Sequence, residues 1–198
     1  MILTVSIGVL RSNVISFNPP LPEKKISALQ EVEFLPGFKL FMKFSDKFYP
    51  DVISFETRSG EKTIYDAAYG KESQDHVLGL LSTGISAQEY YLLGNSDAIV
   101  DSVIQELDGY FDGLAFQNYL GSYIYEDWGQ HTYTQGTWTS DFEKSSKNLN
   151  DSLDDKVYFA GETYNAHEIA PFQEFYIIRG SVQSAILSGY EVVDQILE

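Results

Sequence analysis

The sequence predicts an α+β fold. Three observations carry the prediction. Segments rich in β-branched and aromatic residues are interleaved with two strongly amphipathic stretches, without the regular strand–helix alternation of a doubly wound sheet. The 198 residues are 43% apolar and 15% aromatic, enough for a substantial core. There is no internal repeat that would point to a solenoid or propeller instead.

The elements follow in order. "ILTVSIGVL" is rich in β-branched residues and reads as a strand, with Gly8 marking a turn or a close approach. "ISFNPPLPEKKISALQ" reads as a short strand, a double-proline stop and a helix. Pro22 suits the first helical position and Glu23 the first turn. "FKLFMKF", "DVISFET" and "EYYLLG" read as strands. "SDAIVDSVIQELDGYF" is the clearest helix. Ser96 can cap it, and Ile99, Val100, Val103, Ile104, Leu107 and Phe111 form one apolar stripe at helical spacing. "SYIYEDW" reads as a strand, and residues 129–155 as a long polar connection. "KVYFAG" reads as the last strand and "SVQSAILSGYEVVDQIL" as the last helix.

Composition excludes several classes of function. The net charge of −16 argues against a nucleic-acid partner, whose phosphates need Lys and Arg. It is compatible with a cationic ligand and with simple solubility. Without Cys there are no disulfides, thiol nucleophiles or thiolate metal sites. His76, His131 and His167 lack metal-ligand spacing, so no metal is expected. No apolar run is long enough to span a bilayer. The apolar start lacks a basic segment and a cleavage signal, and reads as a strand, not a signal peptide. A soluble protein is expected, with the cytoplasm slightly favoured. Asn150-Asp151-Ser152 fits a glycosylation sequon of a kind common by chance.

The most informative stretch is "KVYFAGETYN" with the later "RGSVQSAILSGYEVVDQIL". Gly180-Ser181-Val182 places small residues at a helix start, where backbone N–H groups can approach an anion or carbonyl. Glu162, at the end of a buried strand, can accept a hydrogen bond from a sugar or ribityl hydroxyl. Together they describe half of a nucleotide-type cofactor site. The same residues equally describe a capped helix and a strand-end turn.

The C-terminal pattern resembles the FAD-binding signature of the flavin-containing amine oxidases, a family that includes monoamine oxidases, polyamine oxidases and lysine-specific histone demethylases. Three further blocks resemble that family in the same order. They are "LTVSIGVLRSNVISFNPPLPEKKISAL", "FKLFMKFSDKFYP" and "WGQHTYTQGTW", so the likeness runs from Thr4 to Leu197.

The resemblance implies roles residue by residue. Lys39 matches the family's strand lysine, which holds a water near the flavin and makes Lys39 the catalytic candidate. Trp128 matches a Trp that packs near the flavin. Trp138 stands where the family usually has a Tyr, one wall of an aromatic cage for the amine. The second wall of that cage in monoamine oxidases aligns with Ser181, so a complete two-aromatic cage is not expected. Glu162 matches the glutamate that contacts the ribityl–phosphate region. Thr4, Gly161, Thr163, Gly180, Ser181 and Val182 complete the implied cofactor contacts. The implied cofactor is FAD, noncovalent because there is no Cys to attach it. The implied reaction oxidises an amine to an imine, with O2 as acceptor and H2O2 released.

The sequence also departs from the family. Thr4-Val5-Ser6-Ile7-Gly8 has Ser6 where the family has Pro. The segment between Glu162 and Gly180 is longer than usual, and "NAHEIAPFQEFYIIR" reads as a lid or partner surface. Family members are roughly twice this length or more and carry a G-x-G-x-x-G turn for the pyrophosphate. No such motif occurs here. The expectation is therefore the C-terminal half of such an enzyme. Residues 22–144 would form a mixed-sheet substrate-binding domain, and 1–21 with 145–198 an incomplete, Rossmann-like FAD-domain remnant. A partner chain carrying the missing turn, or a homo-oligomer, would complete it. The alternatives are an inactive fragment serving as an interaction module, and a related flavoprotein with a non-amine substrate.

Overall fold

A computed structural model of the chain describes residues 1–55, 60–139, 147–164 and 180–197. In chain order the elements are β1 (Ile2–Leu3), α1 (Ile7–Arg11), α2 (Glu23–Glu31), β2 (Gly37–Phe44), β3 (Val52–Phe55), β4 (Lys62–Asp66), β5 (His76–Thr83), α3 (Gly84–Tyr91), α4 (Ser96–Tyr110), α5 (Leu114–Asn118), β6 (Tyr119–Asp127), α6 (Lys147–Asn150), β7 (Tyr158–Phe159) and α7 (Val182–Leu197). They form two compact units. Unit 1 comprises Met1–Leu35 with Gln130–Glu198, and unit 2 comprises Pro36–Gly129.

Unit 2 is a five-stranded sheet in the order β3-β4-β5-β2-β6. Every neighbouring pair is antiparallel, which corrects the expectation of a mixed sheet. The reason is local: β3, β4 and β5 follow one another through connections too short for a parallel crossover. β2 pairs along its whole length with β5, from Gly37↔Thr83 to Phe44↔His76. Its alternating residues Phe38, Leu40, Met42 and Phe44 are all buried, while Lys39, Phe41 and Lys43 lie on the opposite face. The buried face meets the expected stripe of α4, in which Ile99, Val100, Val103, Ile104 and Leu107 join the same core. Asn95, not Ser96, caps α4: its Oδ1 accepts from the Ala98 N–H at 2.9 Å. The Ser96 hydroxyl instead meets the Tyr123 hydroxyl at 2.9 Å.

"EYYLLG" is not a strand. It is the last part of α3 and the turn after it. The helical period is set upstream, where Ala87 and Tyr90, three residues apart, both enter the core. β4, β5 and α5 have no counterpart in the sequence reading. β5, "HVLGLLST", is an apolar run buried on both sides in its centre, and lacks the alternation by which strands are recognised.

In unit 1, β1 and β7 form a two-stranded parallel sheet, with Ile2 beside Tyr158 and Leu3 beside Phe159. The opening apolar run is thus a strand for only two residues. It then turns into α1, because Ser6 stands where it can cap a helix. Its Oγ accepts from the Val9 N–H at 3.2 Å and donates to the Thr134 carbonyl. Gly8 is a close approach, as its residue type suggests. A Cβ there would lie 2.4 Å from the Gln135 carbonyl oxygen. Residues 15–17, expected as a short strand, are irregular. Pro22 stands one position before the first helical residue of α2.

The core of unit 1 gathers Ile7, Leu10, Ala28, Leu29, Val32, Leu149, Phe159 and Tyr164. Two cations brace it. The Arg11 guanidinium donates to the Leu29 carbonyl at 2.7 Å and to the Val32 carbonyl, satisfying the end of α2. Lys25 is buried; its Nζ donates to the Leu149 carbonyl at 2.8 Å and lies 4.0 Å from the centre of the Phe159 ring.

Candidate functional site

The turn after β7 is built by α7. Gly161 has φ +151°, a conformation that side chains disfavour, and there the chain leaves the strand. Its N–H donates to Ser188 Oγ at 2.8 Å, and the Ser188 hydroxyl passes its own proton to the Ala185 carbonyl at 2.8 Å. One turn earlier on the same face, Ser184 Oγ donates to the Glu162 carbonyl at 3.1 Å. Both serines are fully buried. One turn later Val192 packs with Tyr158 and Ala160. The helix therefore clamps the backbone on both sides of the Gly161–Glu162 peptide.

The Glu162 side chain is held separately. Oε1 accepts from Thr163 Oγ1 at 2.7 Å and from Thr139 Oγ1 at 3.1 Å, while those two hydroxyls lie 2.6 Å apart. Two hydroxyl protons thus serve three contacts. Oε2 is buried and has no hydrogen-bond partner within normal geometry among the described residues. Burial pushes the Glu162 carboxyl above its ordinary range, opposed by the Thr163 and Thr139 hydroxyls and by the backbone N–H groups of Thr139 and Gly180. A buried carboxylate oxygen without a donor is rare, and fits a site that receives a hydroxyl from a ligand.

The other sequence-derived candidates divide between the units. Gly161, Glu162 and Thr163 are brought together with the start of α7. Ser181 caps that helix: its Oγ accepts from the Ser184 N–H at 3.2 Å. Its side chain is thereby part of the helix end. Gly180, with φ +75°, and Val182 flank it and are exposed. Thr4 is exposed just after β1, and Trp138 is half-buried, its carbonyl accepting from the Leu35 N–H at 3.1 Å. Lys39 and Trp128 belong to unit 2. Lys39 is half-buried in β2, between Leu81 on β5 and Glu126 on β6. Trp128 is exposed in the turn after β6, where the Gly129 N–H returns to the Gly37 carbonyl at 3.1 Å. The longer segment read as a lid, 165–179, lies outside the described residues.

Thr139, Ser184 and Ser188 did not emerge from the sequence. For the serines a signal exists: two hydroxyl residues four apart on the buried stripe of an apolar helix. Thr139 has none, because it reaches Glu162 from a distant loop. A cavity of about 490 Å3 in unit 1 is lined by Leu3, Phe17, Pro19, Leu153 and Val157 among others, and none of the candidates borders it. Among the described residues no His, Asp or Glu cluster could hold a metal, and no helix is long and apolar enough to cross a membrane.

Comparison with known proteins converges on one family. The model of the flavin containing amine oxidoreductases matches residues 1–197. The chain is 27% identical to polyamine oxidase 4 of Oryza sativa subsp. japonica, over 98% of this chain and 38% of that one. It is 30% identical to lysine-specific histone demethylase 1 homolog 1 of Arabidopsis thaliana, over 82% of this chain and 20% of that one. It is 29% identical to an L-amino-acid oxidase of Gloydius halys, over 77% and 32%. The chain thus spans about two-fifths or less of these relatives. A similar fold occurs in cyclohexylamine oxidase from Brevibacterium oxydans IH-35A, with a TM-score of 0.68 at 18% identity, covering 98% of this chain and 42% of that one. With a strand-end glutamate clamped beneath a helix start and a family match over nearly every residue, the chain belongs to the flavin containing amine oxidoreductases.

Proposed function

We propose that this chain supplies the ribityl-side contacts and the amine-facing wall of an FAD-dependent amine oxidase. The observation that carries the proposal is the buried, unpartnered Oε2 of Glu162 on a backbone locked by Ser184 and Ser188. Glu162 would accept a cofactor hydroxyl at Oε2, and the backbone of Gly161, Thr163, Gly180, Ser181 and Val182 would line the approach. Bound noncovalently, FAD would supply the hydride acceptor for oxidation of an amine to an imine, with O2 as final oxidant. Lys39 Nζ would donate a hydrogen bond to a water at the reacting centre. Trp138 would present an aromatic face to the amine, and Trp128 would pack near the flavin. Because the Ser181 hydroxyl caps α7, only one aromatic wall of the cage is proposed.

The proposed substrate-binding domain, 22–144, contains the whole of unit 2. The proposed FAD-domain remnant is 1–21 with 145–198, and the parallel pairing of β1 with β7 supports it. No G-x-G-x-x-G turn occurs in these 198 residues, so the pyrophosphate-binding turn would be supplied from outside them, with a partner chain carrying it as the proposed source. The names of the relatives support an amine or amino acid as substrate.

The test is flavin content after gel filtration, with and without a co-expressed chain carrying a strand–G-x-G-x-x-G–helix unit. The expected result is little FAD on the chain alone and stoichiometric FAD in the complex, because half a site does not recover the free energy of the missing cradle. Glu162→Gln should lower retention in the complex while leaving the fold intact. Stoichiometric FAD on the isolated chain would overturn the partner-chain element. Unchanged retention in Glu162→Gln would overturn the role of Oε2.

A further inference from the structure

Unit 2 holds a second arrangement built for an ammonium group, and it is on the other side of the sheet from Lys39. Lys62 opens β4 and pairs with Phe55 on β3 and Ser82 on β5, and Ser82 in turn pairs with Phe38. Lys62 therefore shares the face of Phe38, toward α4, whereas Lys39 shares the opposite face with Leu81 and Thr63. On that inner face the Lys62 ammonium lies 4.9 Å from the centre of the Phe55 ring and 5.4 Å from that of Tyr90. It forms an ion pair with Glu106 Oε1, and Tyr90 donates to Glu106 Oε2 at 2.7 Å. Phe55 packs in turn on Tyr110, with ring centres 5.7 Å apart.

The cage opens into a cavity of about 730 Å3, bordered also by Glu89, Ser86 and Ser102. That volume lies within the range of roughly 300–1,000 Å3 usual for small-molecule sites. Its lining holds one cation, Lys62, against two carboxylates and three aromatic rings. The chemistry suited to a cation is therefore already displayed by the protein's own lysine. The surplus carboxylate and the net charge of −16 favour a further cation over an anion.

We propose that this cavity binds an alkylammonium ligand, held by Glu89 and Glu106 against Tyr90, Tyr110 and Phe55, with Lys62 as the internal competitor for the same carboxylate. The site requires no flavin and no partner chain, so it stands apart from the proposed oxidase function.

The test uses the 198-residue chain and hexylammonium as probe, with hexanoate as the anionic control, followed by calorimetry and by NMR shifts of the Tyr90 and Tyr110 rings. Saturable one-to-one binding of hexylammonium is expected. Lys62→Met should tighten it by on the order of tenfold, since the competitor is gone and the aromatic faces remain. Glu106→Gln should weaken it by on the order of tenfold. Glu89 is exposed, so Glu89→Gln tests the second carboxylate without disturbing the core, and should weaken binding severalfold. Lys43→Met, on the opposite face of the sheet and outside the cavity, should leave it unchanged. Absence of saturable binding in the wild type overturns the proposal, whatever Lys62→Met shows. So does preferential binding of hexanoate, or loss of binding in Lys43→Met.

Discussion

Lys25, buried, and Glu162, half-buried, are ionisable groups in the same unit, and they act on stability in opposite directions. Burial is the main cause that pushes Lys25 from an ordinary value near 10.5 down to about 8; Asp151 opposes it and Lys24 adds to it. Between those two values the unfolded chain holds more protons than the folded one. Stability therefore rises with pH across that window. Denaturant midpoints should increase from pH 8 to pH 9.5 in the wild type, and Lys25→Met should remove that slope. An identical slope in both proteins would exclude Lys25 as its source. Glu162 works the other way. Its carboxyl is pushed above 4.5, so the folded chain holds the extra proton and stability falls as pH rises from about 4.5 through the folded value. Glu162→Gln should abolish that fall. Proton sharing with Thr139 and Thr163 gives the neutral carboxyl a place, since a third proton satisfies all three contacts among these groups.

At the scale of elements, α7 separates structural from dispensable contacts. Ser188→Ala leaves the part-buried Gly161 N–H without its acceptor and should destabilise unit 1 by about 1–3 kcal/mol in denaturant titration. Ile186, on the exposed side of the same helix, should change stability by less than about 0.5 kcal/mol when replaced by Ala. Much of α7 was legible, because its apolar period is long and its capping Ser181 lies next to Gly180. α4 and β2 were legible for the same reason: stripe and alternation extend over many residues. The failures are short or uniform segments. β1 stops after Leu3 because Ser6 starts a helix, a two-residue signal easily overridden by an apolar run. "EYYLLG" has strand composition but takes its conformation from the helical turn before it. β5 is apolar in succession and has no period to read. In the candidate site, Glu162 entered as a candidate through the family pattern, and the structure places it beside Thr139 and Thr163. Thr139 was not legible, since the contact it makes spans 23 residues and depends on a loop path.

At the scale of the whole molecule, the net charge of −16 is a uniform stress on the folded state. Moderate salt should raise the thermal midpoint by screening this repulsion, as scanning calorimetry over an ionic-strength series would show. A midpoint independent of salt would mean that the acidic side chains are already balanced locally. The core of unit 2 is composed wholly of residues between Phe38 and Ala115. A chain of residues 36–129 should accordingly unfold in one cooperative transition by circular dichroism.

The pairing of β1 with β7 has a consequence in time. Ile2 and Leu3 are made long before the strand beside them, which begins at Tyr158. All of unit 2 is synthesised in between. At about 5–20 residues per second, the apolar side chains of α1 and α2 wait on the order of ten seconds for Phe159 and Tyr164 to emerge. During that interval Ile7, Leu10 and Leu29 lack Phe159 and Tyr164, which complete their core. Ribosome-bound chains stalled before residue 158 should therefore recruit chaperones through their first 35 residues, and chains extended past residue 164 should release them.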